Sequence, residues 1–212
     1  MVNITDVKQI LQFAIDAEIK VFLDGGWGVD ALLGYQSRAH NDIDIFVEKN
    51  DYQNFIEIMK ANGFYEIKME YTTLNHTVWE DLKNRIIDLH CFEYTVEGEI
   101  LYDGDCFPVE TFSGKGRIEE IEVSCIEPYS QVMFHLGYEF DENDAHDVKL
   151  LCETLHIEIP NEYCYLQITV CRGVLILPYK NGYLSTVCCD IALKKSLNRS
   201  SDFSFYIFAS CL

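Results

Sequence analysis

Asp42 and Asp44 stand one residue apart in a stretch that is otherwise apolar, Ile43, Ile45, Phe46 and Val47. On a β-strand, residues i and i+2 share a face, so the two carboxylates project together while Ile43 and Ile45 project into a core. A bare carboxylate pair on such a strand needs a compensating cation or full exposure. In "RIIDLHCF" the same period puts Asp88 and His90 on one face and Ile87, Leu89 and Cys91 on the other. If the two strands are neighbours, Asp88 completes a cluster of three acids. Three such groups repel one another unless divalent metal neutralises them, and hard carboxylate oxygens are what Mg²⁺ prefers. Two-metal phosphoryl and nucleotidyl transfer uses that arrangement.

The second half of the chemistry lies upstream, in "LDGGWGVDALLG". A strand, then Gly25 and Gly26, then a helix start presents backbone N–H groups to an anion, and a helix N-terminus favours negative charge. This is a cradle for a triphosphate. Arg38 and His40, just ahead of the aspartates, are placed to reach the same phosphates, Arg as a fixed charge and His as a donor. Taken singly, a Gly-Gly pair is ordinary turn chemistry and D-x-D occurs by chance on exposed strand ends. The order of the pieces and their shared faces make the case.

The elements that must hold these residues alternate between helix and strand. Thr5 can cap a helix carrying Val7, Ile10, Leu11 and Ala14 at helical spacing. "IKVFLDGG" reads as a short buried strand, "WGVDALLG" as a helix stopped by Gly34, "DIDIFV" as a strand and Tyr52 to Ala61 as a helix. "FYEIKME", "HTVWED" and "RIIDLHCF" read as three further strands. Pro128 starts a helix through Tyr138, and "DENDAHDVKLLCETL" is the last. "SGKGR", Ser113 to Arg117, lacks the full phosphate-loop pattern and reads as an exposed turn.

The chain has 212 residues, 49% of them hydrophobic, enough for one good core. Its net charge of -19 argues against a nucleic-acid groove, which needs Lys and Arg clusters, and suits a cationic small substrate. No apolar run is long enough to span a membrane and no signal-peptide pattern opens the chain, so the expected compartment is the cytoplasm. The nine cysteines form no C-x-x-C zinc pattern and are read as reduced thiols.

"LDGGWGVDALLG" followed by "SRAHNDIDIFV" resembles the nucleotidyltransferase superfamily with a DNA polymerase beta type core. Within it the chain is most similar to the small antibiotic nucleotidyltransferases, above all those of lincosamides. The likeness continues through "IIDLH" and "FHLGYEFDENDAHDVKLL", about the first 160 residues. It implies an α+β fold, a mixed sheet flanked by helices with further helices at the C-terminal end. It also implies a Mg²⁺-dependent transfer of a nucleoside monophosphate, AMP from ATP, to a hydroxyl of lincomycin or clindamycin, with loss of pyrophosphate. Carried over by position, Asp42 and Asp44 are metal ligands, and Asp88 is either a third ligand or the general base. An aminoglycoside acceptor, or a non-catalytic antitoxin-like binding protein on the same fold, are the competing readings.

On the acceptor side, Tyr71, Trp79, Tyr94, His135 and Tyr138 are candidates for an aromatic wall, with His90 beside Asp88. For any single one of these residues, core packing is the commoner explanation. Trp27 is expected to pack and Asp30 to brace the glycine turn. The partners implied are an antibiotic and a nucleotide, with no membrane and no nucleic acid. A homodimer is one way for so short a chain to close a two-substrate cleft.

The chain divides at residue 162. From Tyr163 onward, Arg172, Lys180, Lys194, Lys195 and Arg199 outnumber Asp190 and Asp202, against 16 bases and 35 acids in the whole chain. This extension is Cys-rich, has no counterpart in the resembled family and is assigned no role.

Overall fold

Asn3, rather than Thr5, opens the first helix, α1 (Ile4–Asp16). Its side chain accepts the N–H groups of Thr5 and Asp6 while the Asp6 carboxylate accepts that of Asn3, a reciprocal capping box. Cap residues are chosen by where the chain turns, and Asn3 competes better for the free N–H groups than Thr5. Val7, Ile10, Leu11 and Ala14 form the buried stripe of α1, as their spacing predicts. This computed structural model describes residues 1–136 and 141–158.

The chain continues through β1 (Val21–Asp24), α2 (Gly25–Leu33), β2 (Asp42–Glu48) and α3 (Lys49–Ala61). Strands β3 (Tyr65–Ile67), β4 (His76–Glu80) and β5 (Ile86–Tyr94) follow, then the hairpin β6 (Ile100–Tyr102) and β7 (Asp105–Phe107). A 3₁₀ turn (Val109–Phe112) leads to β8 (Gly114–Ile118) and β9 (Ile121–Cys125), and helices α4 (Pro128–His135) and α5 (Glu142–Leu155) complete the described chain. The main sheet runs β3-β4-β5-β2-β1-β9-β8, with the β6–β7 hairpin attached at the end of β5. The β2/β5 and β1/β9 pairs are parallel and the remaining pairs antiparallel, so the sheet is mixed and the α+β expectation holds.

The two faces of the sheet differ. Leu23, Ile43, Ile45, Val47, Ile87 and Leu89 pack in one core with the apolar stripes of α1 and α3. Burying each such side chain stabilises the fold by about 1.5–3 kcal/mol, so this face carries most of the stability. On the other face Phe22, Phe46 and Phe92 join Phe112 in a smaller aromatic cluster. The carboxylates lie beside that cluster, at the open end of the strands.

Several elements depart from the sequence reading. "SGKGR" is the start of β8 rather than an exposed turn. A Cβ on Gly116 would lie 2.5 Å from the Ala31 carbonyl, so the bare strand is what lets α2 pack on it. Of "FYEIKME" only three residues are strand, the β6–β7 hairpin was not anticipated, and α3 begins at Lys49, immediately after Glu48 ends β2. Helix α4 ends at His135. Tyr138, the division at residue 162 and the extension from Tyr163 lie outside the described residues.

Candidate active site

Three adjacent strands bring three aspartates into one row. Asp44 pairs in register with Asp24 on antiparallel β1 and with Asp88 on parallel β5. Directly opposed residues share a face of the sheet, and Asp42 lies two residues along on that same face. Asp42, Asp44 and Asp88 are therefore brought together as the period predicted. Asp24 is a fourth acid that the sequence reading passed over, although its place as the last strand residue before Gly25 marks it. It is the N-cap of α2, yet its side chain makes no capping bond. Its Oδ1 instead accepts from Gln131 Nε2 of α4 at 2.7 Å.

Burial and crowding together weaken the acidity of Asp42 and Asp44. Burial first, then the charges of Asp88 and Asp24, push the Asp44 carboxyl up to about 7. Burial, followed by Asp44 and Asp88, pushes Asp42 up to about 6. Without a cation, Asp42 and Asp44 bind protons near neutral pH. An all-oxygen donor set under this much repulsion fits a hard divalent cation.

The glycines are explained by what sits against them. Gly25 has φ +56, a conformation L side chains rarely adopt, and a Cβ there would lie 2.1 Å from Asp44 Oδ2. A Cβ on Gly26 would lie 2.2 Å from His40 Nδ1. The N-terminus of α2 thus sits directly against the acidic row.

Arg38 and His40 both lie against the Gly26 turn, and each is also engaged by a carboxylate of the protein. His40 is 3% exposed, its Nε2 2.5 Å from Asp30 Oδ2 and its ring 4.7 Å from that of Trp27. Asp30 also accepts the Ser37 N–H, so Asp30 and His40 tie the loop before β2 onto α2. His40 is a brace under the glycine turn, because its ring is enclosed. Arg38 forms a forked pair with Asp147 of α5, Nε to Oδ1 at 3.0 Å and Nη2 to Oδ2 at 2.6 Å. Asp147 is fully buried, so Arg38 answers a charge inside the protein.

On the acceptor side, the alternation along β4 decides which residues face the row. His76 pairs with His90 and Val78 with Asp88, whereas Trp79 pairs with Ile87. Trp79 is therefore turned away, 3% exposed in the main core with Nε1 bonded to Thr77, and the expectation that it contacts substrate is corrected. His76, which the sequence reading did not single out, takes that place, with Nε2 2.5 Å from Asp88 Oδ1. Burial alone would lower its pKa, but the bond to Asp88 and that carboxylate's charge raise it overall. Tyr71 is half-exposed with its ring 5.0 Å from His76. His90 is nearly buried, stacked on Phe46, with Nδ1 2.8 Å from the Tyr102 hydroxyl; burial lowers its pKa to about 4, which keeps the ring neutral. Tyr94 packs edge-on against Phe92, away from the acids, and His135 pairs with Asp144.

A family model for aminoglycoside-2''-adenylyltransferase matches residues 6–151, which include the whole acidic row and most of the elements that hold it. The chain belongs to the aminoglycoside-2''-adenylyltransferase family. Among relatives of this adenylyltransferase family member, the lincosamide resistance protein of Staphylococcus haemolyticus is 29% identical over 156 residues, covering 70% of this chain and 95% of that protein. The crystal structure of the lincosamide antibiotic adenylyltransferase LnuA, lincomycin-bound, superposes with a TM-score of 0.62 at 27% identity, covering 71% of this chain and 96% of that one. The crystal structure of ANT(2'')-Ia in complex with adenylyl-2''-tobramycin superposes with a TM-score of 0.54 at 19% identity over 72% and 88% of the two chains, and shows the shared fold. The resemblance to small antibiotic nucleotidyltransferases drawn from the glycine turn and D-x-D is borne out.

Proposed function

We propose that this protein transfers AMP from Mg²⁺-bound ATP to a hydroxyl of a lincosamide, releasing pyrophosphate, in the cytoplasm where ATP is supplied. The observation that carries the reaction type is the placement of Asp42, Asp44 and Asp88 on one face against the Gly25–Gly26 turn. Asp42 and Asp44 would hold the cation, leaving Asp88 for the acceptor hydroxyl. When bound, Mg²⁺ neutralises the row and polarises the phosphates for displacement. The N-terminus of α2 receives the triphosphate, its N–H groups favouring negative charge. Asp88 orients the acceptor hydroxyl and takes its proton as the new O–P bond forms and the bond to pyrophosphate breaks. His76, bonded to Asp88, sets the direction of that carboxylate.

The lincosamide reading is supported by the likeness to LnuA along nearly its whole length. Rings of Tyr71, His76 and His90 beside the acids suit an acceptor with an apolar body and few charges. A second reading, an aminoglycoside acceptor, is favoured by the description of the matching family model and by the net charge of -19. Pyrophosphate release with lincomycin, clindamycin, kanamycin or no acceptor, followed by mass spectrometry of the antibiotic, separates the two. A lincosamide gaining one adenylyl group, with loss of the product in Asp42→Ala, is the expected result. Modification of kanamycin alone would replace the first reading by the second.

A further inference from the structure

His76, Asp88 and His90 converge on the β4 side of the row, their ligand atoms all within 4.8 Å of one another. His76 Nε2 lies 2.5 Å from Asp88 Oδ1, and the two imidazole rings face each other with centroids 4.3 Å apart. His90 Nε2 is 4.0 Å from the same Asp88 oxygen and 3.9 Å from Asp44 Oδ1. These distances are too long for hydrogen bonds.

His90 is 8% exposed, and it is held from behind. Its Nδ1 is engaged by the Tyr102 hydroxyl and its ring lies on Phe46 at 4.6 Å, which aims Nε2 at the carboxylates. Nε2 makes no hydrogen bond to the described residues, which leaves it available as a ligand atom beside the carboxylates. An oxygen bracing the far nitrogen is the arrangement that orients imidazoles which ligate metal.

We propose that His76, His90 and Asp88 form a second cation site, for a borderline divalent ion of the zinc class, apart from the all-oxygen Mg²⁺ site. Two imidazole nitrogens and one carboxylate oxygen suit zinc or cobalt, whereas Mg²⁺ takes oxygens and water. Metal–ligand distances of about 2.0–2.2 Å are within reach of these atoms, with the His76–Asp88 contact opening as the ion replaces its proton. Occupancy would withdraw Asp88 Oδ1 from the acceptor hydroxyl, making zinc an inhibitor of transfer. That consequence rests on the proposed role of Asp88, but the binding itself does not.

The test is direct metal binding to the full chain after chelator stripping, with cobalt followed by its visible ligand-field bands and then displaced by zinc. The expected result is bands without a thiolate charge-transfer signal, lost on zinc addition and retained in Asp42→Asn. His76→Asn and His90→Gln weaken binding by at least about tenfold, and Tyr102→Phe by roughly 10- to 100-fold. Circular dichroism confirms folding, and His76→Asn, at the partly exposed ligand, decides the matter should the buried His90 variant misfold. Absence of the bands, a thiolate signal marking a cysteine site, or binding kept in His76→Asn would each overturn the assignment.

Discussion

Gly25 and the Asp44 carboxylate compete for one small volume: a Cβ on Gly25 would lie 2.1 Å from Asp44 Oδ2. The glycine at the start of α2 and the aspartate on β2 are thus one device. The chain can close over the acidic row only where it has no side chain.

Gly25→Ala is expected to damage both fold and activity, unequally. Holding an L residue at φ +56 costs about 1–2 kcal/mol, which lowers the Tm modestly. Displacing Asp44 misplaces the reacting groups, and a shift on the order of 1 Å costs roughly 100-fold in rate. Pyrophosphate release together with a melting curve checks this. Wild-type turnover in Gly25→Ala would show that the close approach has no catalytic role.

Stability of the metal-free protein should fall as pH rises. The Asp42 and Asp44 carboxyls, raised to about 6 and about 7 from an ordinary value of about 3.9, bind protons in the folded chain that the unfolded chain releases. Their contribution favours folding fully below about pH 4 and is lost as pH rises through those values. In chelator, Asp44→Asn should gain on wild type in Tm between about pH 5 and 8, and Mg²⁺ should narrow the gap by stabilising wild type. A Tm difference that does not change with pH would refute the argument from burial and repulsion.

Removing Arg38 leaves Asp147 buried without its partner. Arg38→Ala is expected to destabilise the protein by about 3–5 kcal/mol. Arg38→Lys should recover only part, since a point charge cannot replace the forked pair. Chemical denaturation measures both, and a loss under about 1 kcal/mol for Arg38→Ala would place the pair among weak surface contacts.

Trp79 and Tyr71 should separate cleanly. Trp79→Ala opens the main core and is expected to cost about 3–5 kcal/mol, with acceptor KM unchanged in the folded fraction. Tyr71→Ala removes a half-exposed ring beside His76, so stability should hold within about 0.5 kcal/mol while acceptor KM rises. The reverse pattern would return Trp79 to the acceptor side.

The sequence was sufficient where the signal is periodic or local. The i, i+2 spacing of Asp42 and Asp44, and of Asp88 and His90, settled which side chains share a face, since alternation along a strand is a property of the backbone alone. The glycine turn, the stripe of α1 and the αL stop at Gly34 were legible for the same reason. Tertiary structure decided whatever depends on which elements lie side by side. It set Asp24 opposite Asp44, brought His76 to Asp88, turned Trp79 inward, and engaged Arg38 with Asp147, 109 residues away. Cross-strand register and helix docking arise from the packing of the whole core, and no window of neighbouring residues carries that information.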